Sequence, residues 1–274
     1  MNVARVLPRQ IEAPILRHEK VGPGHYRIAL EAPYVAEHAR PGQFVQLLYR
    51  DSYGPGMRRP FSVLQTQPDC GSFEVLYLTR GSFTHGMAHL PVGHTISVVG
   101  PLGAAFQPVT SGASRLVLVA GGVGAPPIYF LAKELAGAGL KDSLLVINGA
   151  RTKNLLIAQS DFLSLGVTVR VTTDDGSVGR RGTVVDELTA NVAEEEESAV
   201  YACGPMPMLQ AVAQFCIRHR ITCQVSVETL MPCGVGVCMG CAVKVRDPSA
   251  DAGYSYARAC HEGPVFRAED LLWD

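Results

Sequence analysis

The chain has 274 residues, of which 47% are hydrophobic and 18% charged, and its formal net charge is −1. This length predicts two domains and a small appendage, and the composition excludes a disordered or fibrous protein. The near-zero charge argues against nucleic acid as a partner, and the absence of a long apolar run or a secretory signal leads us to expect a cytoplasmic protein without membrane contact.

Short strands separated by turns are predicted over roughly the first hundred residues. The strands are rich in β-branched, aromatic or aliphatic residues and lie at His25–Leu30, Phe44–Tyr49, Phe61–Leu64, Ser72–Leu78 and Thr95–Val99. Glycine and proline turns bound them at residues 22–24, 41–42, 54–56, 91–93 and 100–101. Strands without intervening helical periods favour a small antiparallel β-barrel, which we assign to residues 1–110.

From about residue 112, apolar strands alternate with helical stretches. The strands lie at Arg115–Ala120, Ser143–Asn148, Val167–Thr172 and Ala199–Cys203, and the helices at Pro126–Ala136, Ile157–Leu165, Val184–Asn191 and Met206–His219. This alternation predicts an α/β domain over residues 111–221, with a parallel sheet covered on both faces. The acidic run Glu194–Glu197 is interpreted as a solvated loop. A further strand, Thr222–Val227, begins a C-terminal lobe over residues 222–274, in which little regular pattern is visible.

Four of the eight cysteines are clustered in this lobe, at Cys233, Cys238, Cys241 and Cys260. Their C-x4-C-x2-C…C spacing is the plant-type pattern for a [2Fe-2S] cluster, which two irons and four thiolates form. The intervening glycines permit tight turns that aim backbone N–H groups at the sulfurs. A structural zinc site, which more often has two C-x2-C pairs, and buried unligated thiols are the alternatives. The apolar residues Met231, Val235, Val237 and Met239 suggest either a docking surface or core packing.

The segment Arg59-Pro60-Phe61-Ser62, which follows Pro41-Gly42-Gln43-Phe44, resembles the FAD-binding motif of the ferredoxin-NADP reductase superfamily. The resemblance implies that Arg59 pairs with the flavin pyrophosphate and that Ser62 meets the isoalloxazine edge, while Pro60 and Phe61 complete the flavin strand. A forked guanidinium suits phosphate oxygens. A second flavin segment is implied at Leu76, Tyr77, Leu78, Gly81 and Thr84, although Phe83 stands where the family often has glycine.

The nicotinamide dinucleotide is expected on the α/β domain. The turn Gly121-Gly122-Val123-Gly124 lies between a strand and a helix, where backbone N–H groups can meet a pyrophosphate. It resembles the corresponding turn of the same superfamily, in which a Cys-Gly-Pro turn lies near the nicotinamide. That resemblance implies a hydride-transfer site at Cys203 and Gly204. Asp174 follows another strand and could meet the adenosine ribose, which favours NADH over NADPH, whereas Arg151 and Lys153 favour the opposite.

The order of flavin barrel, nucleotide domain and C-terminal cluster resembles that of the electron-transfer subunits of class 1B dihydroorotate dehydrogenase. The specific likenesses are residues 149–153, 173–177, 203–209 and 227–228. The resemblance implies an oxidoreductase subunit that assembles with a catalytic FMN subunit, with two copies of each, and passes electrons through the cluster and FAD to NAD+ in pyrimidine biosynthesis.

The sequence also allows several other functions. Subunits of NADH-dependent ferredoxin:NADP oxidoreductases share the layout, but in them the first cluster ligand is often Asp, where this chain has Cys233. Gamma subunits of sulfhydrogenases, a stand-alone flavin or oxygenase reductase, and a non-catalytic zinc-binding adaptor are the remaining alternatives. The substrate of the partner, the direction of electron flow and the choice between NAD and NADP do not follow from the sequence.

Overall fold

Two seven-stranded sheets and one two-stranded sheet form the fold, which this computed structural model describes for residues 6–50, 56–109, 115–192 and 197–273. The predicted turn at residues 54–56 and the predicted acidic loop at 194–197 fall mostly outside these ranges. Within them, none of the helices combines the length and the apolarity that crossing a bilayer requires.

The first sheet is antiparallel, with the strand order β4-β3-β7-β1-β2-β6-β5, and it confirms the predicted flavin-type barrel. Its elements are β1 (Arg9–Gly22), β2 (His25–Glu31), α1 (Pro33–His38), β3 (Phe44–Leu48), β4 (Arg59–Ser62), β5 (Gln65–Gln67), β6 (Ser72–Leu78), α2 (Ser82–Met87) and β7 (Thr95–Leu102). Strand β1, which the sequence pattern does not predict, pairs with both β2 and β7 and so joins the two halves of this sheet.

The second sheet is parallel through six strands and carries the helices of the α/β domain on both faces. Its elements are β8 (Arg115–Gly121), α3 (Ala125–Leu135), β9 (Leu144–Ala150), α4 (Gln159–Ser164), β10 (Thr168–Thr173), β11 (Arg180–Arg181), α5 (Val184–Asn191), β12 (Ser198–Cys203), α6 (Met206–Arg218) and β13 (Thr222–Ser226). Successive side chains of β8 point to opposite faces of the sheet. Leu118 packs in the core beside α3, and Val119 packs in the core beside α6.

The C-terminal lobe has more regular structure than the sequence pattern indicates. Strands β14 (Ala242–Arg246) and β15 (Tyr254–Arg258) form an antiparallel hairpin. Strand β16 (Val265–Arg267) pairs antiparallel with β13 and extends the second sheet by one edge strand. Strand β13 itself, which we predicted as the start of the lobe, lies in the second sheet beside β12. The lobe is therefore anchored to the second sheet near both of its ends, by β13 and by β16.

Candidate functional site

A cavity of about 520 Å³ lies between the barrel and the second sheet. This volume is within the range of about 300–1,000 Å³ that is usual for cofactor and ligand pockets. All the predicted flavin residues and the predicted hydride-site cysteine line it: Arg59, Pro60, Phe61, Ser62, Leu76, Tyr77, Leu78, Gly81, Thr84 and Cys203. The structure thus brings together, at one place, residues that the sequence separates by more than a hundred positions.

Strand β4 contributes one wall of the cavity. It pairs antiparallel with β3, and this register places Arg59 opposite Leu47 and Ser62 opposite Phe44. Arg59 donates through Nη1 to the carbonyls of Met57 and Arg58, at 3.1 and 3.0 Å. Its guanidinium also lies over the Phe83 ring, 5.6 Å from the centroid. These contacts hold a forked cation at the edge of the cavity, where it suits a phosphate group.

Phe83 is buried, although the flavin resemblance places a glycine at its position. Its ring packs in the barrel core against Tyr49 and Phe61, with centroids 5.0 and 6.0 Å apart. The neighbouring Thr84 hydroxyl accepts hydrogen bonds from the backbone N–H groups of Arg80 and Gly81, at 2.7 and 3.2 Å. The turn is therefore shaped by an inward aromatic ring and a side-chain cap, which leaves its outer side facing the cavity.

The two glycine turns of the second sheet approach each other closely. A Cβ on Gly124 would overlap the carbonyl of Cys203, and a Cβ on either Gly121 or Gly204 would overlap the side chain of Met208. Gly122 instead has a positive φ of 52° with open space around it. These glycines do not line the cavity, whereas Val123 of the first turn and Pro126, at the start of α3, do. Gly121 and Gly124 of the predicted pyrophosphate turn and Gly204 of the predicted hydride-transfer site thus permit close packing of the turns.

Asp174 is exposed and lies just beyond the end of β10, away from the cavity. The parallel register aligns the ends of β8, β9 and β10, because Gly121 is opposite Gly149 and Ala150 is opposite Thr173. The glycine turn and Asp174 therefore lie along the same carboxyl edge of the sheet, the edge where α/β sheets bind nucleotides.

Glu228 is a cavity residue that the prediction of site residues misses. Glu228 is exposed to water in the cavity. The protein around its carboxyl nevertheless partly buries it and raises its pKa, and the charge of Arg80 opposes this rise. Burial, followed by the Glu228 charge, in turn raises the pKa of the Cys203 thiol. Cys203 is therefore a neutral thiol at physiological pH. A signal for Glu228 exists in the strand register, because Cys203 lies opposite Ser226 and both strands end at the same edge.

The clustered cysteines lie close together in the lobe. The Cys233 thiol neighbours that of Cys238, and the Cys260 thiol neighbours those of Cys241 and Cys233. No three metal-ligating side chains of the described residues are gathered as one metal ion would need. A [2Fe-2S] cluster distributes its four thiolates over two irons, whereas a structural zinc ion would need four ligands around one point. The residues therefore fit a [2Fe-2S] cluster better than zinc.

Backbone N–H groups around these sulfurs add to the fit. Gly236 donates to Cys260 Sγ at 3.2 Å, and Cys260 donates to Cys241 Sγ at 3.4 Å. Burial opposes ionisation of Cys233, but the backbone N–H groups of Cys238, Val235 and Val237 outweigh it and lower the pKa of this thiol to about 6. An environment that favours a thiolate before any metal binds is suited to iron ligation.

The rest of the lobe holds this loop in place. Gly234, Gly236 and Met239 have positive φ angles of 70°, 81° and 58°. Arg258, the last residue of β15 and two positions before Cys260, donates through Nη1 to the carbonyl of Gly236 at 2.6 Å and forms an ion pair with Glu262. Met231, for which a docking surface and core packing were both open, is buried in the core and lines the cavity.

Three family profiles match consecutive parts of the chain. An "Oxidoreductase FAD-binding domain" matches residues 13–106, and an "Oxidoreductase NAD-binding domain" matches residues 118–214. An "Iron-sulfur cluster binding domain of dihydroorotate dehydrogenase B" matches residues 228–272. The chain thus contains domains for FAD, NAD and an iron–sulfur cluster, as the sequence motifs predict.

Curated relatives match almost the whole chain. A protein of Desulforamulus reducens, named dihydroorotate dehydrogenase B (NAD(+)), electron transfer subunit, is 33% identical over 268 residues, which are 98% of this chain and all of the relative. A protein of Bacillus caldolyticus with the same name is 37% identical over 248 residues, 90% of this chain and 92% of the relative.

Solved structures share the fold. The structure of an NADH-dependent reduced ferredoxin-NADP oxidoreductase has a TM-score of 0.82 and 30% identity, and covers 99% of this chain and 91% of that one. The Amycolatopsis cytochrome P450 reductase GcoB has a TM-score of 0.66 at 21% identity, over 78% of this chain and 67% of that one, which supports the fold alone.

Proposed function

The chain belongs to the family of electron-transfer subunits of dihydroorotate dehydrogenase B, and from this we propose that it relays electrons from dihydroorotate, oxidised on a catalytic FMN subunit, to NAD+. The observation that carries the proposal is that the predicted flavin residues, Cys203 of the predicted nicotinamide turn and Met231, two residues before the first clustered cysteine, all line one cavity. When bound, FAD supplies the exchange of a hydride with the nicotinamide and of single electrons with the [2Fe-2S] cluster.

The chain's own residues bind and orient these groups. We assign Arg59 to the flavin pyrophosphate and Ser62 to the isoalloxazine edge, with Leu76, Tyr77 and Leu78 as the wall beside the ring system. Cys203 would lie at the hydride-transfer face as a neutral, small side chain, since burial disfavours its thiolate. Glu228 would hold a proton at its carboxyl more readily than a fully solvated glutamate does, because the surrounding protein raises its pKa.

We assign Cys233, Cys238, Cys241 and Cys260 as the cluster ligands. Of these, Cys238 is exposed, and the apolar side chains Val237 and Met239 on either side of it are 79% and 49% exposed. Leu230, at 84% exposure, adds to the apolar surface of this loop. Exposed apolar surface of this kind suits a protein interface. The catalytic subunit would dock here, in a cytoplasmic complex with two copies of each subunit.

The proposal is tested by joining the chain with its catalytic partner under anaerobic conditions. We expect dihydroorotate-dependent formation of NADH by the complex, with FAD and two irons on this chain. Cys238→Ser should abolish that reaction and leave the NADH-driven reduction of bound FAD intact. Cys70→Ser, an exposed cysteine in the turn before β6, is the matched control and should behave as the parent protein.

A second candidate function is a subunit of an NADH-dependent ferredoxin:NADP oxidoreductase, which the TM-score of 0.82 favours. Cys233 disfavours it, because that group often has Asp at the first ligand position. The two functions differ in the electron donor that they require. Reduction of NADP+ by the complex with NADH and reduced ferredoxin, and its failure to reduce NAD+ with dihydroorotate, would replace our proposal by this one.

A further inference from the structure

Gln46 is a fully buried polar residue of the flavin barrel that none of the cofactor assignments uses. It lies in β3, where Val45 and Leu47 pack in the barrel core. Phe44 belongs to the other face of the strand and packs in the core that includes Cys241 and Cys260. Because side chains alternate along a strand, Gln46 shares the face of Phe44 and points out of the barrel towards the cluster lobe.

Gln46 contacts the cluster loop on both sides of the first predicted ligand, Cys233. Its Nε2 donates a buried hydrogen bond to the carbonyl of Met231 at 2.8 Å. Its side chain also fills the space beside Gly234, where an added Cβ would lie 2.6 Å from Cγ and 2.8 Å from Cδ of Gln46. Gly234 therefore provides both a positive φ and the room that the glutamine occupies.

The same residue belongs to the flavin site through its backbone and its neighbours. In the pairing of β3 with β4, Gln46 lies opposite Pro60, in the middle of the predicted flavin strand. Met231, whose carbonyl Gln46 binds, lines the cavity. The chain therefore runs from the cavity wall at Met231 to Cys233 within two residues, and Gln46 ties this segment to the flavin strand.

We propose that Gln46 is a positioning residue that fixes Cys233, and with it the iron–sulfur cluster, at a set place against the flavin-binding strand. This deepens the proposed function and rests on it, because only a relay needs the two centres at a fixed separation. The carbonyl of Met231 is buried, so an aliphatic residue at position 46 would leave it without a donor.

The acceptor end of the glutamine supports a positional role. Its Oε1 is buried and has no hydrogen-bond partner among the described residues. A buried acceptor without a partner opposes folding, so Gln46 is not the residue that would make this junction most stable. What the amide provides is a donor aimed at one carbonyl of the cluster loop, 185 positions along the chain.

The test compares Gln46→Met with Gln224→Met in anaerobically purified protein that holds FAD and iron. Methionine keeps the length of the side chain and removes the donor. Gln224 is the matched control, since it is also buried and donates from Nε2 to a backbone carbonyl, that of Gln107, at 2.6 Å. The readouts are the rate of iron release to a chelator, the flavin content, and the rates at which NADH reduces first the flavin and then the cluster.

For Gln46→Met we expect iron release about tenfold faster than in the parent, the equivalent of about 1.4 kcal/mol for one lost buried hydrogen bond. Reduction of the cluster should slow while flavin content and flavin reduction stay at the parent values. Gln224→Met should lower the melting temperature and leave iron release and cluster reduction unchanged. Should Gln46→Met fail to fold, Gln46→Asn decides by the same rates, because it keeps the amide and withdraws it by one methylene.

Equal rates of iron release and cluster reduction in the parent and the Gln46 variant would overturn the positioning role. So would equal acceleration in the Gln46 and Gln224 variants, since that would reflect a general loss of packing. Failure of the proposed function has a different signature: a parent complex that holds FAD and iron but does not reduce NAD+ with dihydroorotate. In that case the comparison of the two glutamines would still be readable from the NADH-driven rates.

Discussion

The flavin cavity and the cluster loop acquire their order in different ways. The cavity walls belong largely to paired strands, and wall residues such as Phe61 and Phe83 also pack on the barrel core. Residues 227–241 contain no strand or helix, and their shape comes from positive-φ turns, N–H donors to the thiols and the grip of Arg258 on Gly236. We therefore expect the cavity to form from the protein alone, and the loop, which has no strand pairing of its own, to depend also on what its thiols bind.

The largest effect that would sharpen this contrast is loss of the cluster. Cys241 is buried, and its sulfur accepts the N–H of Cys260. We expect Cys241→Ser to lose nearly all its iron and to keep its FAD, because a hydroxyl is a poor iron ligand and the cavity does not depend on the loop. Iron and flavin per chain measure the two effects, and hydrogen exchange should rise in residues 227–241 and not in the barrel. Retention of both irons would remove Cys241 from the ligand set.

The next effect concerns the cavity. Arg59→Ala should weaken FAD binding by about 2–3 kcal/mol, or roughly 30- to 150-fold, through loss of a charge-assisted phosphate contact. Arg58→Ala is the matched control, since Arg58 points to the carbonyl and hydroxyl of Ser97 on β7. Equilibrium titration of the flavin-free protein with FAD measures both. An equal loss of affinity in the two variants would place the phosphate elsewhere.

A smaller effect is expected where the two glycine turns meet. Gly124→Ala would push the glycine turn away from Cys203, at a cost of about 1–3 kcal/mol in the free energy of unfolding. It should also raise the dissociation constant for NADH, because the turn would no longer sit against the cavity. Gly137→Ala is the control, since a Cβ there meets nothing within 4 Å. Denaturant unfolding measures the free energy of unfolding, and titration measures the dissociation constant for NADH. Equal values of both in the two variants would refute the packing argument.

The smallest effect is the pH dependence that Glu228 contributes. Burial raises the pKa of its carboxyl in the folded state, while Arg80 opposes the rise and the neighbouring Cys203 is neutral. The folded protein therefore holds a proton that the unfolded chain has lost. Stability falls as pH rises from the ordinary glutamate value to the raised one, and is level above it. Glu228→Gln should flatten this fall, which unfolding measured from pH 4 to pH 8 would reveal. An unchanged slope would mean that Glu228 is not desolvated.

The elements that sequence predicts well are the ones with a local apolar period. Strands β6, β8 and β12 and helices α5 and α6 agree with prediction to within a residue or two, because each buries a face whose pattern lies within its own segment. Strand β1 escapes prediction, because its pattern of buried and exposed residues does not alternate regularly and one of its two partners, β7, lies far along the chain. The hairpin β14–β15 escapes for a related reason, since most of its residues are half-buried or exposed.

The site divides in the same way. The cysteine spacing and the flavin tetrapeptide are local patterns, and motif chemistry is enough to select them. Glu228 needs the register between β12 and β13, and Gln46 needs a contact with residue 231 across the chain. Neither residue type is unusual by itself, so only the tertiary structure distinguishes these two from the other glutamates and glutamines.

The edge strand β16 changes how the cysteine-bearing segment should be regarded. The segment leaves the second sheet at β13 and returns to it at β16, which pairs with β13. It is therefore an insertion whose two ends are held by the same pair of strands. A chain truncated after Cys260 would keep every thiol but lose β16, and with it the pairing that covers the edge of β13. Grafting the segment onto another reductase would therefore require a sheet with an unpaired edge strand that β16 can join, and not merely a free terminus.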